Sequence, residues 1–386
     1  MYKELPRPIW IMLFASAVNN LGNFVFTYFT LIITDYNGEN SIQSGVIFFW
    51  AMFLYIPAAN IGGKIADIFD KKVIYCIFKI CSICCLFTTV FVSRGIIKIV
   101  FIIMSFFFTG MTKPVFDGWL TDLTSVEKRK EVYSILYMGD NWANIVAPLL
   151  VTGFLNNSNE LILWDAVSSI AAVFMLLFLK KPVVESINLE YLDTKVNESG
   201  YGLTRKKVIL LGIFSIFFFV YSQNQFTLPL YLKKVFIGDA IKCYSYIMSI
   251  NAGVVLFATP VITKVTKKIS NINLLFISGV LFSLGFGLYG IMINVAWFFF
   301  LTIVWSIGEI LFSLSLYAYI NENVTEKTSG KANSLIVIMK SIGMCMGSSL
   351  MGIIISQYNW KVIWCGILFI SCVASITLLF YKKFIR

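Results

Sequence analysis

Stretches of about twenty apolar residues recur along the chain at a spacing of roughly thirty, and this recurrence limits what the chain can fold into. The runs begin near Ile9, Gln43, Val73, Ile96, Val132 and Leu161, and again near Val208, Cys243, Asn271, Ala296, Ala332 and Val362. Each is long enough to cross the hydrocarbon of a bilayer as an α-helix. A closed β-barrel also satisfies its backbone in lipid, but its strands are short and alternate in polarity, unlike these continuous runs. Of 386 residues, 58% are hydrophobic and 13% charged, with a mean hydropathy of +0.82. A soluble chain is roughly 45–50% apolar and about 25% charged. The surplus of Phe and Ile exceeds what one or two water-soluble cores can hide. The reading is an all-α polytopic membrane protein with about twelve transmembrane helices in two pseudo-symmetric six-helix bundles.

The net charge of +11 does not imply nucleic acid, because the basic residues sit in short loops between apolar runs. Most of the 31 Lys and Arg fall on one side. That side takes Lys3, Arg7, Lys64, Lys71, Lys72, Lys128, Arg129 and Lys130, the central Lys180–Lys207 segment, Lys264, Lys267, Lys268 and the C-terminal cluster. The other side takes Arg94, Lys98, Lys233, Lys234, Lys242 and Lys361. The positive-inside rule therefore places both termini in the cytoplasm. The first run is too long for a signal-peptide core and is interrupted by Asn19, Asn20 and Asn23, so it reads as the first span. Eight cysteines lie mostly within apolar runs. Cys81-x-x-Cys84-Cys85 is mid-span in a chain without His, and reads as packing rather than a metal site.

The longest polar stretch divides the chain into a first bundle (1–180), a cytoplasmic central loop (181–207) and a second bundle (208–386). A constant offset places Asp122 over Glu322, Ser134 over Ser334 and Asp140 over Lys340. Pro57 falls near Pro260 and Asn20 near Asn224. Two related six-helix halves are the architecture of many secondary transporters.

The turn after the second span reads Gly63-Lys64-Ile65-Ala66-Asp67-Ile68-Phe69-Asp70-Lys71-Lys72. It resembles the signature of the major facilitator superfamily: a glycine, an aspartate four later, then a basic pair. It departs from that signature at Ile68, usually basic, and at Asp70, usually glycine. A second stretch contains Gly110-Met111-x-x-Pro114, Asp122-Leu123-Thr124, Arg129, Tyr137, Asn141 and Pro148. It is similar to the drug:proton antiporter branch, as are Tyr221-Ser222-Gln223, Leu228-Pro229 and Asn251-Ala252. Gly308-Glu309-Ile310 resembles Gram-positive multidrug/proton antiporters. The resemblance implies alternating access, a gating loop of Gly63, Asp67, Lys71, Lys72, Asp122 and Arg129, and proton-coupled export of small amphipathic compounds. Uptake of a nutrient or peptide would use the same acids, so the sequence leaves direction open. A non-transporting receptor would need an added polar domain.

Charges inside a bilayer are costly, about 2.5–3.5 kcal/mol each on insertion scales. The candidates are Lys79, Lys113, Asp117, Asp140, Asp165, Glu309 and Lys340. Asp165 is expected to be solvated at an outer helix end. Lys113 and Asp140 are almost equidistant from the turn joining spans four and five, and Glu309 and Lys340 from that joining spans ten and eleven. At 1.5 Å per residue all four lie roughly 10–15 Å deep. The expectation is two ion pairs, Lys113–Asp140 and Glu309–Lys340, with Glu309 and Asp140 as proton carriers. Asp117 competes for Lys113 at i, i+4, and permanent structural pairs are the plain alternative. Asn20, Asn23, Asn141, Trp142, Asn144, Tyr221, Gln223, Asn224, Gln225 and Asn251 are candidates to line a substrate cavity, or to bond helix to helix.

Gly285–Gly290 spells a dinucleotide fingerprint, but it lies in an apolar span with no preceding strand. Without a nucleotide-binding loop, the expected energy source is the proton gradient, with no cofactor and no metal. The expected partners are protons, a small-molecule substrate and the lipid bilayer, in a monomer in a bacterial cytoplasmic membrane.

Overall fold

The computed structural model describes residues 5–38, 40–93, 95–154, 157–179, 205–291, 294–321 and 326–385. Among these residues every regular element is helical. In chain order the α-helices are Arg7–Leu21 (α1), Phe24–Thr27 (α2), Phe29–Asn37 (α3), Ser41–Ile68 (α4), Lys71–Phe91 (α5), Gly95–Asp122 (α6), Arg129–Phe154 (α7) and Ser158–Leu177 (α8). The second half contributes Arg205–Tyr221 (α9), Thr227–Val235 (α10), Ala240–Thr266 (α11), Asn271–Gly287 (α12), Val295–Asn321 (α13), Glu326–Gln357 (α14) and Trp360–Ile385 (α15). The expected central loop lies almost wholly outside the described residues, and α9 opens at Arg205.

Traced as paths, these helices make twelve crossings, six in each half. Ten segments are long and apolar enough to cross a membrane. The first path is split into α1, α2 and α3, and α7 carries Asp140, Asn141 and Asn144, so these two fall outside the ten. The protein is therefore a multi-pass membrane protein, and the two paths that depart from the apolar rule are where polar function is to be sought.

Local chemistry sets the helix ends. The side chains of Asn40, Asp70 and Asn157 accept from the backbone N–H groups of Gln43, Val73 and Glu160, at 3.1, 3.1 and 3.0 Å. Each occupies a donor that the first helical turn leaves free. Pro57, Pro114, Pro148 and Pro260 lie inside helices, where each removes a backbone hydrogen bond.

In the first half α5 packs on α6 and α8, and α4 on α6; in the second, α12 packs on α13 and α15. The two seams between halves are α4 against α14 and α7 against α11. These are the second crossing on the eleventh and the fifth on the eighth, which exchange when the halves are swapped. Glycine makes the first seam possible. A Cβ on Gly45 would stand 2.5 Å from the carbonyl oxygen of Ser348, and one on Gly352 2.6 Å from that of Ser41.

Near its end α4 carries two adjacent glycines, Gly62 and Gly63, in unlike surroundings. A Cβ on Gly62 would collide with the backbone of Met111 on α6, whereas at Gly63 the nearest atom is Pro114 Cβ at 3.9 Å. One residue is about 100° of helix rotation, so only one of two adjacent glycines can face α6. Gly62→Val is expected to lose about 1–3 kcal/mol of stability through overpacking. Gly63→Ala should be nearly silent, as read from apparent melting temperatures in detergent.

Candidate functional site

The first and seventh crossings are both broken near their middles. At the end of α1 the N–H of Gly22 turns back to the carbonyls of Asn19 and Asn20. The freed N–H of Val25 donates to Asp165 Oδ2 at 2.9 Å. In the seventh crossing a 3-10 turn at Ser222–Asn224 separates α9 from α10. There Gln223 donates to the carbonyl of Phe219 at 2.6 Å and accepts from the Thr227 hydroxyl at 2.5 Å. Backbone groups released in hydrocarbon need such partners, and broken helices line the substrate sites of many transporters.

A cavity of about 410 Å³ lies between the halves at these breaks. Eight of the ten residues expected on its wall are there: Asn20 and Asn23, Asn141 and Asn144, Tyr221, Asn224 and Gln225, and Asn251. Two are not. Gln223 is fully buried and bonded to the backbone of the break. Trp142 sits two residues past Asp140, roughly 200° around α7, and packs edge-on against Phe257 at 6.0 Å in the α7–α11 seam. Tyr244 and Met248 join them on the wall. They were readable as helical faces, Asp140–Asn144–Pro148 on α7 and Tyr244–Met248–Asn251–Val255 on α11, which repeat at three or four residues.

Both candidate proton carriers line this cavity, with partners other than those expected. Asp140 Oδ1 accepts from Asn20 Nδ2 at 2.6 Å and from the Ser16 hydroxyl at 3.1 Å. Glu309 accepts from the Tyr221 hydroxyl at 2.7 Å and from Asn251 Nδ2 at 2.7 Å. Lys113 pairs with Asp117 at 3.0 Å, the i, i+4 alternative, and not with Asp140. Lys340 is exposed and within electrostatic reach of Glu309, but no direct ion pair joins them among the described residues. Each half thus presents one carboxylate held by neutral donors.

The model of the Major Facilitator Superfamily matches residues 12–347 and 243–384. The chain belongs to the Major Facilitator Superfamily. A relative, the uncharacterized MFS-type transporter YqjV of Bacillus subtilis (strain 168), is 21% identical over 340 residues, 83% of this chain and 80% of its own. Among solved structures, a variant of the nucleoside transporter NupG superposes with a TM-score of 0.80 at 16% identity, over 97% of this chain and 100% of its own. A variant of the peptide transporter POT in complex with sulfate gives 0.79 at 13% identity, over 99% and 96%. A POT family transporter in complex with 5-aminolevulinic acid gives 0.71 at 16%, over 100% and 98%. The protein is a membrane transporter of this superfamily and not an enzyme.

The superfamily-like turn between α4 and α5 ties helix ends together. Lys71 bonds Asp122 at the end of α6 at 2.6 Å. Lys72 donates to the carbonyls of Leu177 and Leu179 at 2.7 and 2.6 Å, where the last carbonyls of α8 lack helical partners. Asp70, standing at the signature's usual glycine, caps α5. Asp67 is exposed, and the buried Nε of Arg129 has no hydrogen-bond partner among the described residues.

The opposite end of the transporter is sealed across the halves. Lys233 bonds Asp35 at 2.5 Å and Thr34 at 3.0 Å, and Ser41 donates to the Gly352 carbonyl at 3.0 Å. Closer to the cavity, Tyr28 meets Ser245 at 2.5 Å, and Thr30 donates to the Gln225 carbonyl at 2.5 Å. Among the described residues the cross-half hydrogen bonds and ring contacts stop at Trp142–Phe257, and none joins the halves at the Gly63–Lys72 end.

Asp165, expected to be solvated, is 8% exposed and secures the break in the first crossing. Asp165→Ala orphans the Val25 N–H and should cost about 1–3 kcal/mol. Asp165→Asn keeps an acceptor and should cost less, with apparent melting temperatures in detergent ranking the two.

Proposed function

We propose that this superfamily member is a proton-coupled secondary transporter of a small polar molecule, with Glu309 and Asp140 as the coupling acids. The observation that carries the reading is that the central cavity holds one carboxylate from each half, each hydrogen-bonded by neutral groups and, among the described residues, neither in a direct ion pair. When the cavity is sealed from water, a bare carboxylate is costly there. A proton or a cationic group of the substrate removes that cost, so occupancy and closure become linked. The Tyr221 hydroxyl can donate to the carboxylate or accept from the carboxylic acid, so Glu309 keeps its position in both states. The proton gradient would supply the energy.

The amide-rich wall supports a polar, hydrogen-bonding substrate. The structural neighbours described as nucleoside and peptide transporters point the same way. Export of amphipathic, drug-like compounds is the second reading, favoured by the antiporter-like residues from Gly110 to Pro148 and by Phe24, Phe26 and Tyr28 on the cavity wall. With the basic turns in the cytoplasm of a bacterial cell, the sealed end faces outward.

In proteoliposomes with an imposed pH gradient, a labelled nucleoside, a dipeptide and a lipophilic cation test the two readings. The wild type is expected to accumulate one of the polar probes. Glu309→Gln should abolish gradient-driven accumulation while sparing exchange of that probe across the membrane. Undiminished accumulation by Glu309→Gln would remove Glu309 from the coupling, and transport of the lipophilic cation alone would favour the second reading.

A further inference from the structure

A second cavity, of about 240 Å³, lies wholly inside the first bundle. That is far above the roughly 10–15 Å³ that one water needs. It shares Asn20, Asn23, Phe26 and Asp140 with the central cavity as a common wall. The sequence reading gave Lys79, on its lining, no role. Lys79 is 4% exposed on α5, and no hydrogen bond or ion pair engages it among the described residues. A buried ammonium without a partner is among the costliest groups a bundle can hold.

Four ionisable charges line the space: Lys79, Lys113, Asp140 and Asp165, with the phenols of Tyr55 and Tyr75. Lys113 is satisfied by Asp117. Asp165 lies within electrostatic reach of Lys79 but makes no ion pair with it, and receives the Val25 N–H instead. That leaves Lys79 as the one cation open to a ligand, beside two carboxylates held by neutral donors, Asp165 by a main-chain N–H and Asp140 by Asn20 and Ser16. A dianion such as a phosphate ester would leave the site with surplus negative charge. A small zwitterion adds no net charge and gives both Lys79 and Asp140 a partner.

We propose that the cavity inside the first bundle is a carboxylate subsite, in which Lys79 binds the carboxylate of a small zwitterionic substrate whose ammonium group is held by Asp140. The inference deepens the reading of a polar-molecule transporter and rests on it. The first bundle then carries the recognition of both ends of the substrate. Glu309, in the second bundle, is left free to take up the proton.

Binding to the purified full-length transporter in detergent, without any gradient, tests this apart from proton coupling. The probes are dialanine, β-alanine and 5-aminolevulinic acid, each with its carboxamide counterpart, and sodium chloride or acetate alone. At least one zwitterion is expected to raise the melting temperature, and its carboxamide should not. Lys79→Gln should weaken that binding at least about tenfold, Lys79→Arg should restore part of it, and Asp140→Asn should weaken it without restoring the carboxamide. Monodisperse elution identifies variants that fold. If Lys79→Arg folds while Lys79→Gln does not, the comparison is made between wild type and Lys79→Arg with Lys79→Met as the neutral form.

The proposal is overturned if the carboxamide binds as well as the acid, or if no zwitterion binds. It is equally overturned if a simple anion gives the same stabilisation, or if neutral variants at Lys79 lose stability but keep their affinity. The last result would make Lys79 a water-bridged structural partner of Asp165. Loss of gradient-driven transport in Glu309→Gln would still stand under any of these outcomes, so the two readings fail separately.

Discussion

In hydrocarbon every backbone N–H and C=O must find a partner inside the protein, and the rest of this structure is arranged around the two places where helices alone do not provide one. The first crossing breaks at Gly22–Asn23 and the seventh at Ser222–Asn224. Each break frees main-chain groups and recruits polar side chains to hold them. Asp165 receives the N–H of Val25, and Gln223 takes the carbonyl of Phe219. Where breaks from two halves meet, the protein has a polar centre without exposing backbone to lipid. Asn20, Asn23, Asn224 and Gln225 gather on the central cavity because they flank those breaks.

The same constraint shapes the charges. A carboxylate facing a small cavity can be held by an opposite charge or by neutral donors. Direct pairing would fix its ionisation; neutral donors fix its position and leave its charge free to change. The structure takes the second course at both Asp140 and Glu309. Lys113 is drawn to Asp117 one turn away on its own helix, which costs less ordering than reaching across to α7.

The fold was legible because hydrophobic length is a one-dimensional signal. Twelve runs, the division near the middle and the pairing of Asn20 with Asn224 all follow from counting along the chain. Depth was legible too: Asp140 and Glu309 do share a cavity level. Rotation about the helix axis was not. Equal depth placed Lys113 with Asp140, but the local i, i+4 contact decides that contest. Trp142, expected on the cavity wall, leaves that place to its neighbours Asp140 and Asn141. Each error is a matter of about 100–200° of azimuth. Face-by-face periodicity on α7 and α11 would have corrected the last and added Met248. Asp165 was misplaced for a different reason. Its partner is a main-chain N–H at a helix break, and no side-chain pattern announces that.

Alternation between two states needs seams that can open as well as close. At the sealed end, α4 and α14 meet through Gly45 and Gly352, backbone to backbone, with one side-chain hydrogen bond from Ser41. Flat glycine contacts bury little interlocking side-chain surface, so parting them deforms no side-chain packing. The polar contacts there, Lys233 with Asp35 and Thr34, are at the helix ends, where water can replace them once the halves separate. By contrast the contacts inside each half, such as Lys72 on the end of α8 and Asp165 on Val25, tie elements of one bundle together. Strong satisfaction within bundles and replaceable contacts between them is the physical condition for two rigid halves to rock about a fixed cavity. The placement of Asp140 and Glu309 on opposite sides of that cavity makes its closure sensitive to their charge.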